Sequence, residues 1–98
     1  MFIIVWSYKI KSRYMDDFVE TYKENGKWAK LFLKSKSYKY SKLFKKGKDE
    51  YLLIDAWDNK KSYDKFREQY FEEYNLLSNK CSMFYETEEK IGEYEEVD

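Results

Sequence analysis

The chain has no histidine and no proline, one cysteine and three glycines among its 98 residues. Without histidine, His-based catalytic triads, His-ligated haem and His-containing zinc sites are excluded within the chain. The single cysteine, Cys81, cannot close an intramolecular disulfide or supply a cysteine cluster to a metal, and it fits a reducing compartment. No spacing of Asp and Glu resembles a calcium loop, so no bound metal is expected. No apolar run approaches the ~20 residues that span a bilayer, and no membrane partner is expected. The opening MFIIVWSYKI lacks a basic leader and a small-residue cleavage site; it is expected to be a strand, and the protein to be cytoplasmic. With so few breakers, long loops are not expected.

Aromatic side chains are abundant instead. Eleven Tyr, seven Phe and three Trp make up 21% of the chain. Each buries ~150–250 Å², so a short chain can fill one core with them. The mean hydropathy of -0.94 reflects Lys, Glu and Tyr rather than disorder, because apolar residues recur with clear period. The length predicts a single domain over residues 1–98.

Phe2 to Ile10 alternates as a strand. Ser12 is a plausible helix cap, Tyr14, Phe18 and Tyr22 follow at helical spacing, and Asn25-Gly26 supplies a stop. Trp28, Leu31 and Phe32 predict a short helix, and Tyr38 to Phe44 a second strand. Lys46-Gly47-Lys48 predicts a hairpin turn into a third strand, Tyr51 to Trp57. Asp58 or Asn59 caps the next helical region, whose apolar stripe runs Tyr63, Phe66, Tyr70, Tyr74, Leu77, Cys81 and Phe84, with a break expected near Tyr74-Asn75. Gly92 to Val97 reads as a fourth strand. The order β-α-β-β-α-β predicts an α+β, ferredoxin-like domain: a four-stranded antiparallel sheet with helices on one face.

Two helices cover one sheet face, and a solvated second face should be polar. Here both sides are apolar, with Phe2, Ile4, Trp6 and Tyr8 opposed to Ile3 and Val5 on the first strand, and Leu52 and Ile54 opposed to Leu53 on the third. Leaving several such residues wet is costly at ~1.5–3 kcal/mol each. A homodimer is therefore expected, with Phe2, Ile4, Trp6, Tyr8, Leu52 and Ile54 as its face.

Gly26-Lys27-Trp28-Ala29-Lys30-Leu31-Phe32, the strand Tyr51-Leu52-Leu53-Ile54-Asp55-Ala56-Trp57, then Tyr63, Phe66 and Tyr74, and the closing Cys81, Glu88, Ile91 and Gly92 resemble, in order and spacing, the short antibiotic-biosynthesis-monooxygenase-like family. The resemblance covers nearly the whole chain. It implies a dimeric α+β barrel with a pocket in each subunit between sheet and helices. It also implies cofactor-independent monooxygenase chemistry on a small aromatic substrate, or a non-catalytic binding or interaction protein on the same scaffold. The haem-degrading branch of the family needs a His and an Asn; the chain has no His, and Ser7 stands near where the Asn would fall, so haem degradation is rejected.

If Trp57 faces the helices, period two brings Asp55, Leu53 and Tyr51 to the same side, with Ile3, Val5 and Ser7 as expected neighbours. Asp55 in an apolar pocket is the candidate general base; its alternative is a satisfied structural acid, bonded to Tyr hydroxyls or to Arg67. Ser7, Trp28, Phe32, Trp57, Tyr63, Phe66 and Arg67 are the candidate substrate pocket; ordinary core packing is the alternative for Trp28, Phe32, Tyr63 and Phe66, and an exposed helix surface is the alternative to a carboxylate clamp for Arg67. Cys81 is expected to be core, and Glu88 to lie on a solvated helix face. Lys27 to Lys48 holds nine lysines and no acid, while Glu86 to Asp98 holds seven acids against Lys90. A lysine-rich stretch with interleaved aromatics raises nucleic-acid binding. The third strand does not match the RNA-recognition pattern and the net charge is zero, so no nucleic-acid partner is expected.

Overall fold

Strand β1 (Phe2–Ile10) pairs on both sides, and its neighbours set the architecture. The structure, a computed structural model, describes Met1–Asp98. After β1 come a 3-10 turn (Ser12–Tyr14), α1 (Met15–Tyr22), α2 (Lys27–Phe32), β2 (Tyr38–Lys46), β3 (Glu50–Trp57), α3 (Lys60–Gln69), α4 (Phe71–Cys81) and β4 (Tyr85–Glu95). The strands lie in the order β2-β3-β1-β4, every pair antiparallel. Each helical crossover is thus a pair of short helices, and the fold is α+β and ferredoxin-like. No helix is long and apolar enough to cross a membrane.

The β1–β3 register pairs Phe2 with Trp57, Ile4 with Asp55, Trp6 with Leu53 and Tyr8 with Tyr51. Directly opposed residues share a sheet face. The helices cover this one: Trp57 packs against Phe32 and Phe66, and Tyr8 against Phe18 and Tyr22, with ring centroids 5.1–5.3 Å apart. Phe2, Ile4 and Tyr8 are therefore buried within one subunit, and Trp6 is partly buried beside them, which removes all four from the expected dimer face. Ile3, Val5 and Ser7, expected beside Asp55, lie on the opposite face against Ala56, Ile54 and Leu52. Alternation could not choose between the faces because the first residues of β1 are apolar on both. The helices take the set richer in aromatic rings, which buries more area.

Other local expectations shift for identifiable reasons. Asn59 caps α3, its side chain accepting from Ser62 N at 2.8 Å, while Asp58 pairs with Lys39 at 2.9 Å. Ser12 caps nothing; it lies inside the 3-10 turn. The break in the long stripe falls at Tyr70 (φ -110°, ψ 31°), four residues before the expected Tyr74. Strand β4 begins at Tyr85, seven residues before the expected Gly92, and Glu88 is a strand residue rather than a helical one. As an edge strand rich in exposed acids, β4 carries little hydrophobic alternation. Its pairing also skips: Val5 faces Gly92 but Trp6 faces Lys90, leaving Ile91 as a bulge.

Gly26 joins α1 to α2 at a close approach: a Cβ there would sit 2.5 Å from the Thr21 carbonyl oxygen and 2.8 Å from that of Glu20. Gly47, in the β2–β3 turn, has φ +64° and open space around it. Gly26→Ala is expected to cost ~2–3 kcal/mol in urea unfolding, through forced backbone displacement. Gly47→Asn should cost under ~1 kcal/mol, since Asn tolerates the left-handed region. Equal losses would show that the α1–α2 approach is looser than the structure has it.

Candidate functional site

Between the helix-covered sheet face and the helices lies a cavity of about 180 Å³. Every layer contributes to its wall: Trp6 and Tyr8 from β1, Leu53 and Asp55 from β3, Glu88 from β4, Tyr22 from α1, Trp28 and Phe32 from α2, Arg67 from α3, and Tyr74 and Ser78 from α4. An apolar cavity of ~150 Å³ accommodates benzene, so this space suits one six-membered ring and a substituent.

Asp55 is the buried acid of the wall. The β2–β3 register sets Ser41 opposite it, and Ser41 Oγ donates to Asp55 Oδ1 at 2.6 Å. Ser41 Oγ is also 2.6 Å from the Tyr38 hydroxyl, so a chain Tyr38–Ser41–Asp55 leads away from the cavity. The second carboxyl oxygen takes no hydrogen bond from the protein. Burial pushes the Asp55 pKa up to about 7, against the opposing hydrogen bond from Ser41. Of the structural alternatives for Asp55, the pairing with Arg67 is not formed; its partner is Ser41.

The rest of the wall is aromatic and hydrogen-bonding. Tyr8 donates to Glu88 Oε2 at 2.7 Å and Tyr85 to Oε1 at 3.3 Å. Burial raises the phenol pKa of Tyr8, Tyr22 and Tyr74, which keeps them protonated donors. Arg67 lays its guanidinium 3.9 Å above the Tyr74 ring, and its Nη1 donates to the Tyr63 hydroxyl at 3.1 Å. Arg67 Nε and Trp28 Nε1 are buried donors with no acceptor.

Of the candidate pocket residues, Asp55, Trp28, Phe32 and Arg67 line the cavity. Trp57, Tyr63 and Phe66 are buried in the aromatic core beside it, and Ser7 lies on the other sheet face, as the register requires. Trp6 and Tyr8, expected at a dimer face, are wall residues. Tyr22, Leu53, Tyr74, Ser78 and Glu88 were not anticipated. A signal existed for two: Tyr74 and Ser78, four apart, lie on one face of α4. Cys81 is buried core. No group of three Cys, Asp or Glu side chains is arranged to hold a metal ion.

A partly open cavity between the sheet and the helices of a ferredoxin-like α+β domain defines the architecture of the molecule. No protein-family model matches the chain, and no curated protein does. In fold it is similar to the crystal structure of an uncharacterized NIPSNAP domain protein from Burkholderia xenovorans, with a TM-score of 0.69, 12% identity, and 99% of this chain and 95% of that one covered. At that identity the likeness shows the fold. It supports the ferredoxin-like α+β architecture and does not single out the antibiotic-biosynthesis-monooxygenase-like family within it.

Asp55→Asn tests the buried acid. An acid whose folded pKa exceeds its unfolded value stabilises the fold when protonated; that contribution is complete below about 4 and is lost as pH rises towards about 7. Wild-type stability should therefore fall across pH 4–7 by ~2–4 kcal/mol from this group. Asp55→Asn, which can still accept from Ser41, should flatten that slope and unfold at higher urea than wild type at pH 8. An unchanged slope would mean that Asp55 is ionised throughout.

Proposed function

We propose that this protein binds a small, single-ring hydroxyarene in the cavity between sheet and helices, with the ligand hydroxyl donating to Asp55. The observation that carries this is a buried carboxyl group with one oxygen free of hydrogen bonds, set in a wall that six aromatic side chains share with Leu53, Arg67, Ser78 and Glu88. Small-ligand sites commonly combine concave aromatic walls with a few polar groups that fix orientation. The test is a titration with phenol, followed by the indole N–H NMR signals of Trp6 and Trp28. Saturable shifts with a dissociation constant in the millimolar range or tighter are expected, weakened ~10-fold in Asp55→Asn by loss of a hydrogen bond to a charged group. No shift, or none sensitive to Asp55, would overturn the assignment.

A cofactor-independent monooxygenase acting on a small aromatic substrate is a second use of the same cavity. It is favoured by one observation, a carboxyl group with pKa near 7, suited to taking a phenolic proton at neutral pH. Oxygen uptake with hydroquinone, above the rate of its uncatalysed autoxidation and lost in Asp55→Asn, would select the enzyme. Binding of hydroquinone without uptake would select the non-catalytic protein.

We further propose that the molecule pairs with a second copy through the uncovered sheet face. That face carries Ile3, Val5, Tyr40, Phe44, Leu52 and Ile54, of which Phe44 is 49% and Leu52 36% exposed. On that face the edge strand β2 bears Lys42 and Lys46, whereas the opposite edge β4 bears Glu89. A two-fold axis parallel to the strands lays the basic edge of each copy over the acidic edge of the other. Light scattering at about 20 µM should give a dimer mass, and Ile54→Lys a monomer mass. A monomeric wild type would refute the pairing.

A further inference from the structure

Arg67 is a partly buried cation with no carboxylate partner: it joins no salt bridge, and its polar contacts are the Tyr63 hydroxyl and the face of Tyr74. The acids around it are committed elsewhere. Asp64 lies 3.5 Å from Lys60, Glu88 accepts from Tyr8 and Tyr85, and Asp55 accepts from Ser41. Burying a charge without a counter-charge is costly, and a buried donor without an acceptor adds to that cost. The second condition holds at Arg67 Nε, which has no acceptor; burial disfavours the charge itself, but the Tyr63 hydroxyl, the Tyr74 ring and Asp64 outweigh that effect. The contact with the Tyr74 ring and the hydrogen bond to the Tyr63 hydroxyl hold the guanidinium in place before any ligand arrives.

Resting on the cavity assignment above, we propose that Arg67 makes the site selective for hydroxyarenes that also carry a carboxylate, which the guanidinium receives while the hydroxyl meets Asp55. The incoming carboxylate meets Arg67, the one cation among the wall residues, whereas the wall acids Asp55 and Glu88 are bonded to the hydroxyls of Ser41, Tyr8 and Tyr85. Planar recognition of a carboxylate by Arg is among the stronger polar contacts available to a protein.

The experiment compares three probes on the wild-type protein, phenol, 4-hydroxybenzoate and its neutral near-isostere 4-hydroxybenzyl alcohol, by the same indole N–H NMR titration. The carboxylate is expected to bind at least ~10-fold more tightly than the alcohol. Arg67→Met should bring those two affinities together, and Arg67→Lys should restore part of the difference. Equal affinities in the wild type, or a preference that survives Arg67→Met, would overturn the role of Arg67 while phenol binding upheld the cavity. If no probe binds, both proposals fall. Should Arg67→Met not fold, the comparison of acid with alcohol on the wild type decides alone.

Discussion

The pairing of β1 with β3 decides on which side of the sheet every central side chain lies. With Phe2 opposite Trp57 and Tyr8 opposite Tyr51, one face receives Phe2, Ile4, Trp6, Tyr8, Tyr51, Leu53, Asp55 and Trp57, and the helices close over it. A slip of one residue would exchange that set for Ile3, Val5, Leu52 and Ile54. The aromatic residues forbid the slip, because they interlock with rings from the helices: Trp57 alone has four ring neighbours, Phe32, Tyr38, Tyr63 and Phe66. Each such pair adds ~0.5–1.5 kcal/mol beyond the area it buries.

The same register explains where the cavity is. Along the covered face of β3 the side chains run Tyr51, Leu53, Asp55, Trp57. Rings at both ends meet rings from the helices, as Tyr51 meets Phe18 and Trp57 meets Phe66. At the two central positions the strand offers smaller groups, and the helices do not fill the difference. The void thus lies between two well-packed aromatic clusters, and its polar groups are those that project into the gap. A rigid rim around a small open centre is a geometry suited to holding a ring in one orientation.

Much of this was legible in the residues. The order of elements followed from alternation in Phe2–Ile10 and Tyr51–Trp57, from the Gly47 turn and from the Asn59 cap, each a local signal with one physical cause. The side of β1 was not legible, because Ile3 and Val5 compete with Phe2 and Ile4 on equal hydrophobic terms, and only helix packing separates them. Strand β4 escaped for the opposite reason: at a sheet edge its residues are held by backbone pairing to β1, and Glu86, Glu88 and Glu89 leave no apolar period to read. Asp55, Trp28, Phe32 and Arg67 were found as chemistry set among hydrophobic neighbours. Ser41 and Glu88 were not, since a lone hydroxyl and one acid among many acquire meaning only when a neighbouring strand delivers a partner.

Asp55 remains the residue that stability alone does not account for. A carboxyl group pushed to about pH 7 by burial lowers the stability of the fold at neutral pH, and an apolar side chain would fill the gap at less cost. The molecule nonetheless supports that group from behind with two further hydroxyls, Ser41 and Tyr38, both buried themselves. Three polar residues arranged in sequence to hold one acid at the edge of a void make a device that packing does not require. Such local conflict between stability and composition is characteristic of functional sites. Arg67, a cation of the same wall with no salt bridge, is a second feature that packing does not require, and a single bound molecule with a donor at one end and an anionic group at the other would engage both.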